Sequence, residues 1–416
     1  MQTQSRPGVL SERNMRWYLG GQILSITGLM LQSAVLALLV LKLVGKTDAP
    51  LWSGLVYSLG FVPGMFLGPF AGIILDKGDK RKILMVTSAL SAVQPLVLAY
   101  LTWTEHVTVA EICILALFAG VTNAIDGPGR NVIVKDAVLH PHNVRPASKM
   151  FTSLYNLAQI IGPGMAGYLV LNFGFASTFL LNGFSCTGAL VALAMMKLVP
   201  RDLRTASAAL EKKGVWHLVC EGARYTFSHP SIRVCVILTT LLLTFGMSYF
   251  TLLAVIARDV FHGDPLVYSR MAMCSGAGSF VGVMASIKFD GRMSHRWTVV
   301  IGMLVLGTTL TALSQTTDVD IAMLLIFIAG TCFMATFSTI RSSIIHLARR
   351  ELSGIVMGFT FTCFYAGMIF GSFGAGAVAN HIGCMPMLGI SGIALMALGV
   401  AANFSQGVRG LDAAHS

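Results

Sequence analysis

Long apolar runs separated by short polar turns fill nearly the whole chain, and each run is close to the ~20 residues a helix needs to cross a bilayer core of about 30 Å. Twelve such runs fall at 17–43, 51–75, 83–103, 107–125, 150–171, 176–197, 233–257, 270–287, 298–315, 321–340, 354–379 and 384–404. They are continuous, without the strict alternation of a transmembrane strand, which predicts helices and excludes a barrel. Composition agrees. With 55% hydrophobic and 11% charged residues and a mean hydropathy of +0.74, the 416-residue chain has too little polar surface to coat a water-soluble body of its size. The expected fold is all-α and integral to the membrane, with twelve transmembrane helices.

A net charge of +11 would ordinarily raise nucleic acid as a partner, but the basic residues sit in every second loop. One side of the predicted topology carries 25 of the 29 Lys and Arg, and the other only Lys42, Lys46, Arg258 and Arg270. By the positive-inside rule both termini are expected in the cytoplasm. The excess is then topogenic, anchoring loops at anionic lipid, and no nucleic-acid role is expected. The first run follows Arg13 and Arg16, exceeds a signal-peptide core and lacks a cleavage pattern, so it is expected to stay as an anchor. The eight cysteines include no C-x-x-C pair, and Cys113, Cys186, Cys235, Cys274, Cys332 and Cys363 lie in the interior of apolar runs. They read as packing residues, with no metal site or disulfide framework.

The hydrophilic stretch 198–232 divides the chain into an N-terminal half at 1–197 and a C-terminal half at 233–416, each of six helices. Within it Trp216, Val219, Ala223 and Phe227 recur at helical spacing against Lys213, Glu221 and Arg224, which predicts an amphipathic helix on the cytoplasmic membrane surface. The halves resemble one another at an offset of about 210 residues, Arg130 to Gly174 matching Arg341 to Gly383 and Gly68/Gly72 matching Gly278/Gly282. Small residues also recur at every fourth position: Gly60, Gly64, Gly68 and Gly72; Cys274, Gly278, Gly282 and Ser286; Ala158, Gly162 and Ala166; Gly367, Gly371 and Ala375. Such strips let backbones approach closely in lipid, where no hydrophobic force draws helices together. They serve either static packing or a smooth sliding seam formed by spans two, five, eight and eleven.

The run Gly72-Ile73-Ile74-Leu75-Asp76-Lys77-Gly78-Asp79-Lys80-Arg81-Lys82 resembles the loop between the second and third helices of the major facilitator superfamily: a glycine, three residues, an aspartate, a basic residue and a short basic string. Asp79 stands where the family usually has glycine. The resemblance implies two parallel, pseudo-symmetric six-helix halves with a substrate site between them near the midplane. It also implies a cytoplasmic gate built on Gly72, Asp76, Lys80, Arg81, Asp126, Arg130 and Arg341, in which Asp76 meets the amino-terminal end of span eleven near Ser353 and Gly354, and Lys80 pairs with Asp126. Asp126-Gly127-Pro128-Gly129-Arg130, taken to close span four, joins Phe245-Gly246-Met247-Ser248-Tyr249, Ala257-Arg258-Asp259-Val260-Phe261, Gln22 and Leu180-Leu181-Asn182 in resembling the branch that holds enterobactin-type siderophore exporters and macrolide efflux proteins. Gly162, Pro163 and Gly167 resemble the antiporter motif of exporters, with Ala166 in place of the first of its paired glycines, so the expected direction is outward.

Ile112 to Ile125 contains no arginine and the span centres no carboxylate, which leaves Glu111, about one turn inside the outer end of span four, as the in-span acid and possible proton site. Polar and aromatic residues within the spans are the substrate-cavity candidates: Gln22, Gln32, Tyr57, Gln94, Asn156, Gln159, Tyr249 and Tyr365. As a set they suit a large amphipathic ligand, and Arg130 and Arg341 at a cytoplasmic rim suit an anionic or neutral one. No nucleotide-binding glycine pattern occurs, so neither enzyme activity nor a cofactor is expected. The expectation is a monomeric, proton-driven exporter of a siderophore-like molecule in a bacterial inner membrane. A macrolide or multidrug efflux protein, an importer and a non-transporting sensor remain as alternatives.

Overall fold

Among the described residues of the computed structural model, eleven helical segments are long and apolar enough to cross a membrane. One of them crosses twice. Pro141–Met195 covers 55 residues, about 80 Å at 1.5 Å per residue, and its backbone leaves helical geometry at Gly174 with φ 78° and ψ 173°, a conformation open to glycine and costly for other residues. The structure describes residues 8–196, 215–289, 294–348 and 353–405. Among these there is no strand.

Span one is Arg13–Leu43, span two Ala49–Leu59 continued by Val62–Lys77, span three Lys80–Trp103 and span four Val109–Ala137; spans five and six share Val144–Met195, split at Gly174. Span seven is Pro230–Gly246 continued by Ser248–Asp259, followed by span eight Pro265–Phe289, span nine His295–Leu313, span ten Val319–Leu347, span eleven Ser353–Ile382 and span twelve Cys384–Phe404. A further helix, Val215–Ser228, precedes span seven and rests Phe227 against Phe359 of span eleven, ring centroids 6.1 Å apart. The rest of the linker, the side chains of Trp216 and Val219, the surroundings of Gly72, and the expected meeting of Asp76 with Ser353 and Gly354 lie outside the described residues.

Two spans are interrupted in mid-course. Span two breaks at Gly60 and Phe61, with Pro63 in the first turn of the following helix; span seven breaks at Met247. Proline lacks the amide hydrogen that would continue the ladder, and lipid permits such breaks only where protein covers them. At span two the cover is Gly120 of span four, where any Cβ would stand 2.6 Å from the Gly60 carbonyl oxygen.

The four strips of small residues do not share one role. Gly278 and Gly282 face the backbone of span ten at Phe327 and Thr331, Gly162 faces span one at Thr27, Met30 and Leu31, and Gly367 and Gly371 face span seven at Thr240, Leu243 and Thr244. These contacts lie within a half. The close approaches between halves use neighbouring positions. Gly54 of span two meets Ser372 and Gly376 of span eleven, Gly276 of span eight meets the Gln159 carbonyl of span five, and Gly167 of span five meets Pro265 and Leu266 of span eight. Gly64 and Gly68 are strip residues that do cross, both lying against the Tyr365 ring. Of the two readings, static packing fits most strip residues, while spans two and eleven and spans five and eight do meet across the halves, largely through the neighbouring positions.

At the terminal face, Glu12 precedes span one and is 5% exposed. It accepts from the Leu139 amide at 2.7 Å, Asn143 Nδ2 at 2.7 Å and His140 Nδ1 at 3.2 Å, clipping the start of span one to the connection between spans four and five. Burial raises its pKa, but the bonds from Asn143, Leu139 and His140 outweigh burial and hold it below the ordinary 4.5. The stabilisation is thus present above about pH 4.5 and lost as pH falls through the depressed value. Glu12→Ala is expected to cost about 2 kcal/mol, the desolvation penalty of the donors it abandons. A thermal-unfolding series in detergent should show the difference from wild type at pH 7 and its shrinkage toward pH 3; a constant difference would sink the assignment.

Candidate functional site

The two interruptions bring aromatic rings from both halves together. Tyr57 precedes the break in span two and Phe61 lies within it; Tyr249 and Phe250 follow the break in span seven. Tyr57 lies edge-on to Phe61 at 5.5 Å and to Phe250 at 5.7 Å. Phe61 reaches Tyr365 of span eleven at 6.4 Å, and Tyr365 is followed by Phe364 at 5.4 Å and Phe337 of span ten at 5.7 Å from Phe364. These separations are those of edge-to-face and offset pairs. The row crosses the boundary between halves twice. Tyr249 is held by a 3.0 Å hydrogen bond with the Ser275 hydroxyl of span eight. Three of the sequence-based candidates, Tyr57, Tyr249 and Tyr365, thus share one cluster. Phe61, Phe250, Phe337 and Phe364 complete it and are not distinguishable in the sequence from any other phenylalanine in a span.

The glutamines lie elsewhere. Gln32 Nε2 donates to Gln94 Oε1 at 2.7 Å, and Asn182 Nδ2 donates to Gln32 Oε1, so spans one, three and six are tied inside the N-terminal half. Gln22 accepts from Arg130 Nη1 at 2.9 Å. All three glutamines are 5% exposed or less; their polar groups help hold one half together, apart from the aromatic cluster, and Gln32 and Gln94 line one small cavity with Arg130. Asn156 is 8% exposed with its Nδ2 unpartnered, and Gln159 is half-buried with its carbonyl against Gly276. Pro163, which has no amide hydrogen, leaves that same carbonyl without its i+4 partner. Gly167 donates its amide to Ser269 Oγ of span eight at 2.6 Å, so Gly167 and Pro163 of the antiporter-like motif act on the seam while Gly162 packs on span one.

Span four runs without interruption through Gly127, Pro128 and Gly129 to Ala137. The sequence-based end at Ile125 is therefore corrected, and with it the absence of an arginine and of a buried carboxylate in this span. Arg130 lies inside the helix, 8% exposed, and Asp126, one turn earlier, is 2% exposed. They form a direct ion pair through Arg130 Nε. Arg130 Nη2 also donates to Ser25 Oγ at 3.2 Å, Thr87 Oγ1 donates to Asp126 at 3.0 Å, and the Tyr18 hydroxyl donates to the Arg130 carbonyl at 2.6 Å. A cavity of about 20 Å³ adjoins the network, lined by Ser25, Ser91, Gln94, Asn123 and Arg130 among others, and the Ser91 hydroxyl opens there without a partner. It has room for about one water.

The gate residues separate accordingly. Lys80 pairs with Asp136 at 2.8 Å, not with Asp126, because Asp126 faces inward to Arg130 while Asp136 lies near the terminal end of the same helix. Asp79 caps span three by accepting from the Arg81 and Lys82 amides, a use for the carboxylate that stands at the family's glycine position. Arg81 donates to the carbonyls of Leu193 at 2.7 Å and Ala194 at 2.5 Å, capping span six. Glu111 forms a capping box with Thr108, its carboxylate accepting from the Thr108 amide at 2.8 Å. It is a helix-start residue, and its role as the in-span acid is corrected. Arg341 is exposed, its guanidinium 5.7 Å from the ring centre of Phe361.

A family model described as transmembrane secretion effector matches residues 8–416. The chain is 22% identical over 368 residues to the multidrug efflux pump Tap of Mycolicibacterium fortuitum, covering 87% of this chain and 89% of that protein. It is 27% identical over 228 residues to the staphyloferrin A transporter of Staphylococcus aureus, covering 54% and 55% of the two chains. Among solved structures, that of a D-xylose–proton symporter superposes with a TM-score of 0.72 at 13% identity, over 96% of this chain and 98% of the other.

Proposed function

The chain belongs to the transmembrane secretion effectors of the major facilitator superfamily, and from that premise we propose that it exports an amphipathic, siderophore-like small molecule from the cytoplasm by proton-driven alternating access. The observation that carries this reading is the aromatic row from Tyr57 to Phe337, which joins both halves at their interrupted helices. A ligand stacked there touches span two of one half and spans seven, ten and eleven of the other, so its binding is coupled to how the halves lie. The similarity to the staphyloferrin A transporter supports the siderophore-like class. The similarity to Tap favours a second reading, multidrug efflux through the same aromatic surface.

Protons are assigned to the pair of Asp126 and Arg130. It is the buried ion pair among the described residues that adjoins a polar cavity, and Arg130 has alternative acceptors in Gln22 and Ser25 when Asp126 takes up a proton. The membrane is assigned as the bacterial inner membrane with both termini cytoplasmic, since basic residues concentrate on the terminal face. The halves then meet on the external side, where Arg258 Nη1 donates to the Leu41 carbonyl at 2.8 Å and Gly54 packs on Gly376.

Uptake into inside-out vesicles tests the reading. Vesicles with the protein are expected to accumulate a radiolabelled catecholate siderophore when acidified inside, and Tyr365→Ala is expected to raise the KM about tenfold through loss of its ring contacts. Accumulation of a macrolide but not the siderophore would select the second reading. Accumulation of either by right-side-out vesicles alone would overturn export.

A further inference from the structure

On the reading that the aromatic row receives the transported molecule, we propose that Arg341 is the receptor for a negative charge on that molecule, so that the preferred ligand is an aromatic anion such as a carboxylate or catecholate. The duplicated halves make the case by contrast. Arg130 and Arg341 occupy matching positions in the two copies, and four residues earlier the first copy has Asp126 and the second Phe337. The first arginine is neutralised by its own helix. The second is left with a ring. Among the described residues no carboxylate pairs with Arg341, and Phe361, whose face it covers, orients the guanidinium without supplying a counter-charge.

Position adds the ligand's shape. Phe333, Phe337 and Arg341 are spaced by four and share one face of span ten. Phe333 lies under Gly246 of span seven and Phe337 against Phe364 of span eleven, so this face looks into the C-terminal half toward the aromatic row. Arg341 is six residues from Leu347, about 9 Å from the end of the span at 1.5 Å per residue. Phe361, 40% exposed, is one turn from Phe364 and Tyr365. An incoming molecule would place its anion on Arg341 and its rings along Phe361, Phe364 and Tyr365. A charge inside a span is costly unless it faces a wet cavity or a partner, and a guanidinium matches a carboxylate in a planar, two-point fashion.

The test uses three matched probes on the purified protein in nanodiscs of zwitterionic lipid: radiolabelled 2-naphthoate, its neutral amide and 2-naphthylmethylammonium, with binding read by equilibrium dialysis. Wild type is expected to bind naphthoate at least tenfold tighter than the amide and the ammonium weakest. Arg341→Gln should bring naphthoate down to the amide's level while the amide is unchanged, which also shows that the variant is folded; Arg341→Lys should keep part of the preference. If wild type binds all three alike and Tyr365→Ala weakens all three, the aromatic site stands and the anion receptor falls. If none of the three binds, both fall. If anionic lipid in the nanodisc abolishes the naphthoate preference of wild type, a lipid headgroup is the native occupant of Arg341 and the substrate assignment is overturned.

Discussion

Asp126→Asn is expected to abolish uphill export, with Glu111→Gln leaving it within about twofold of wild type. Glu111 is engaged at the first turn of span four by the Thr108 amide and hydroxyl, where glutamine keeps an acceptor for the same capping box. Asp126 is buried against Arg130 and Thr87, and Arg130 in turn lines a cavity wide enough for about one water. Removing one member of a buried pair strands the other, at about 3–5 kcal/mol, so the single variant confounds folding with coupling. The double variant Asp126→Asn with Arg130→Gln removes both charges and should recover most of the lost melting temperature. It should still fail to drive uphill export while retaining downhill exchange of labelled for unlabelled substrate. Uphill export by the double variant would reduce the pair to a structural tie between spans one and four.

Gly167→Val is expected to cut transport by more than tenfold with little loss of thermal stability, whereas Gly282→Val should do the reverse. Both glycines sit on spans that touch a neighbouring backbone, but they touch different neighbours. A Cβ on Gly167 would drive into the Pro265 carbonyl and Leu266 of the opposite half. The halves would be held apart there, and the end of the cycle in which spans five and eight close would be blocked. A Cβ on Gly282 meets Thr331 and Ala335 of span ten in its own half. Overpacking inside a bundle costs about 1–3 kcal/mol, so the melting temperature should fall while folded molecules still transport. Transport and thermal unfolding measured on the same preparations separate the two cases. Parallel losses in both variants would mean that span five does not work against span eight.

The end of span four marks where reading along the chain stopped being sufficient. Gly127, Pro128 and Gly129 are the strongest local signals for ending a helix, and they suggested a loop that put Arg130 on a rim. In the folded protein Gly129 lies under Leu84 and Leu75, neighbouring spans cover the backbone that proline leaves unpaired, and the helix continues for two more turns. Lys80 was assigned to the wrong carboxylate for the same reason, since the azimuth of Asp126 on a helix is undefined until the helix is known to include it. The aromatic cluster was half legible. Three tyrosines stood out because each carries a hydroxyl into an apolar segment; their phenylalanine partners carry no such mark.

What the chain determines by itself is whatever lipid reads one segment at a time: the number of spans, the all-helical class and the bias of basic residues to one face. Each follows because a backbone in hydrocarbon must satisfy its own hydrogen bonds and because charge is sorted loop by loop. The break at Gly174 belongs with these, since a positive φ favours glycine wherever the turn falls. Which neighbour a face meets was decided only in three dimensions. The four-residue period of Gly278 and Gly282 shows that a smooth face exists, but not that it fits span ten while Gly276, two residues before Gly278, fits span five. Successive residues on a helix point about 100° apart, so partners are selected by the rotation and depth of each helix in the bundle. Arg130 takes its carboxylate from one turn back on its own helix, whereas the Phe361 ring against Arg341 comes from span eleven and is supplied only by the fold.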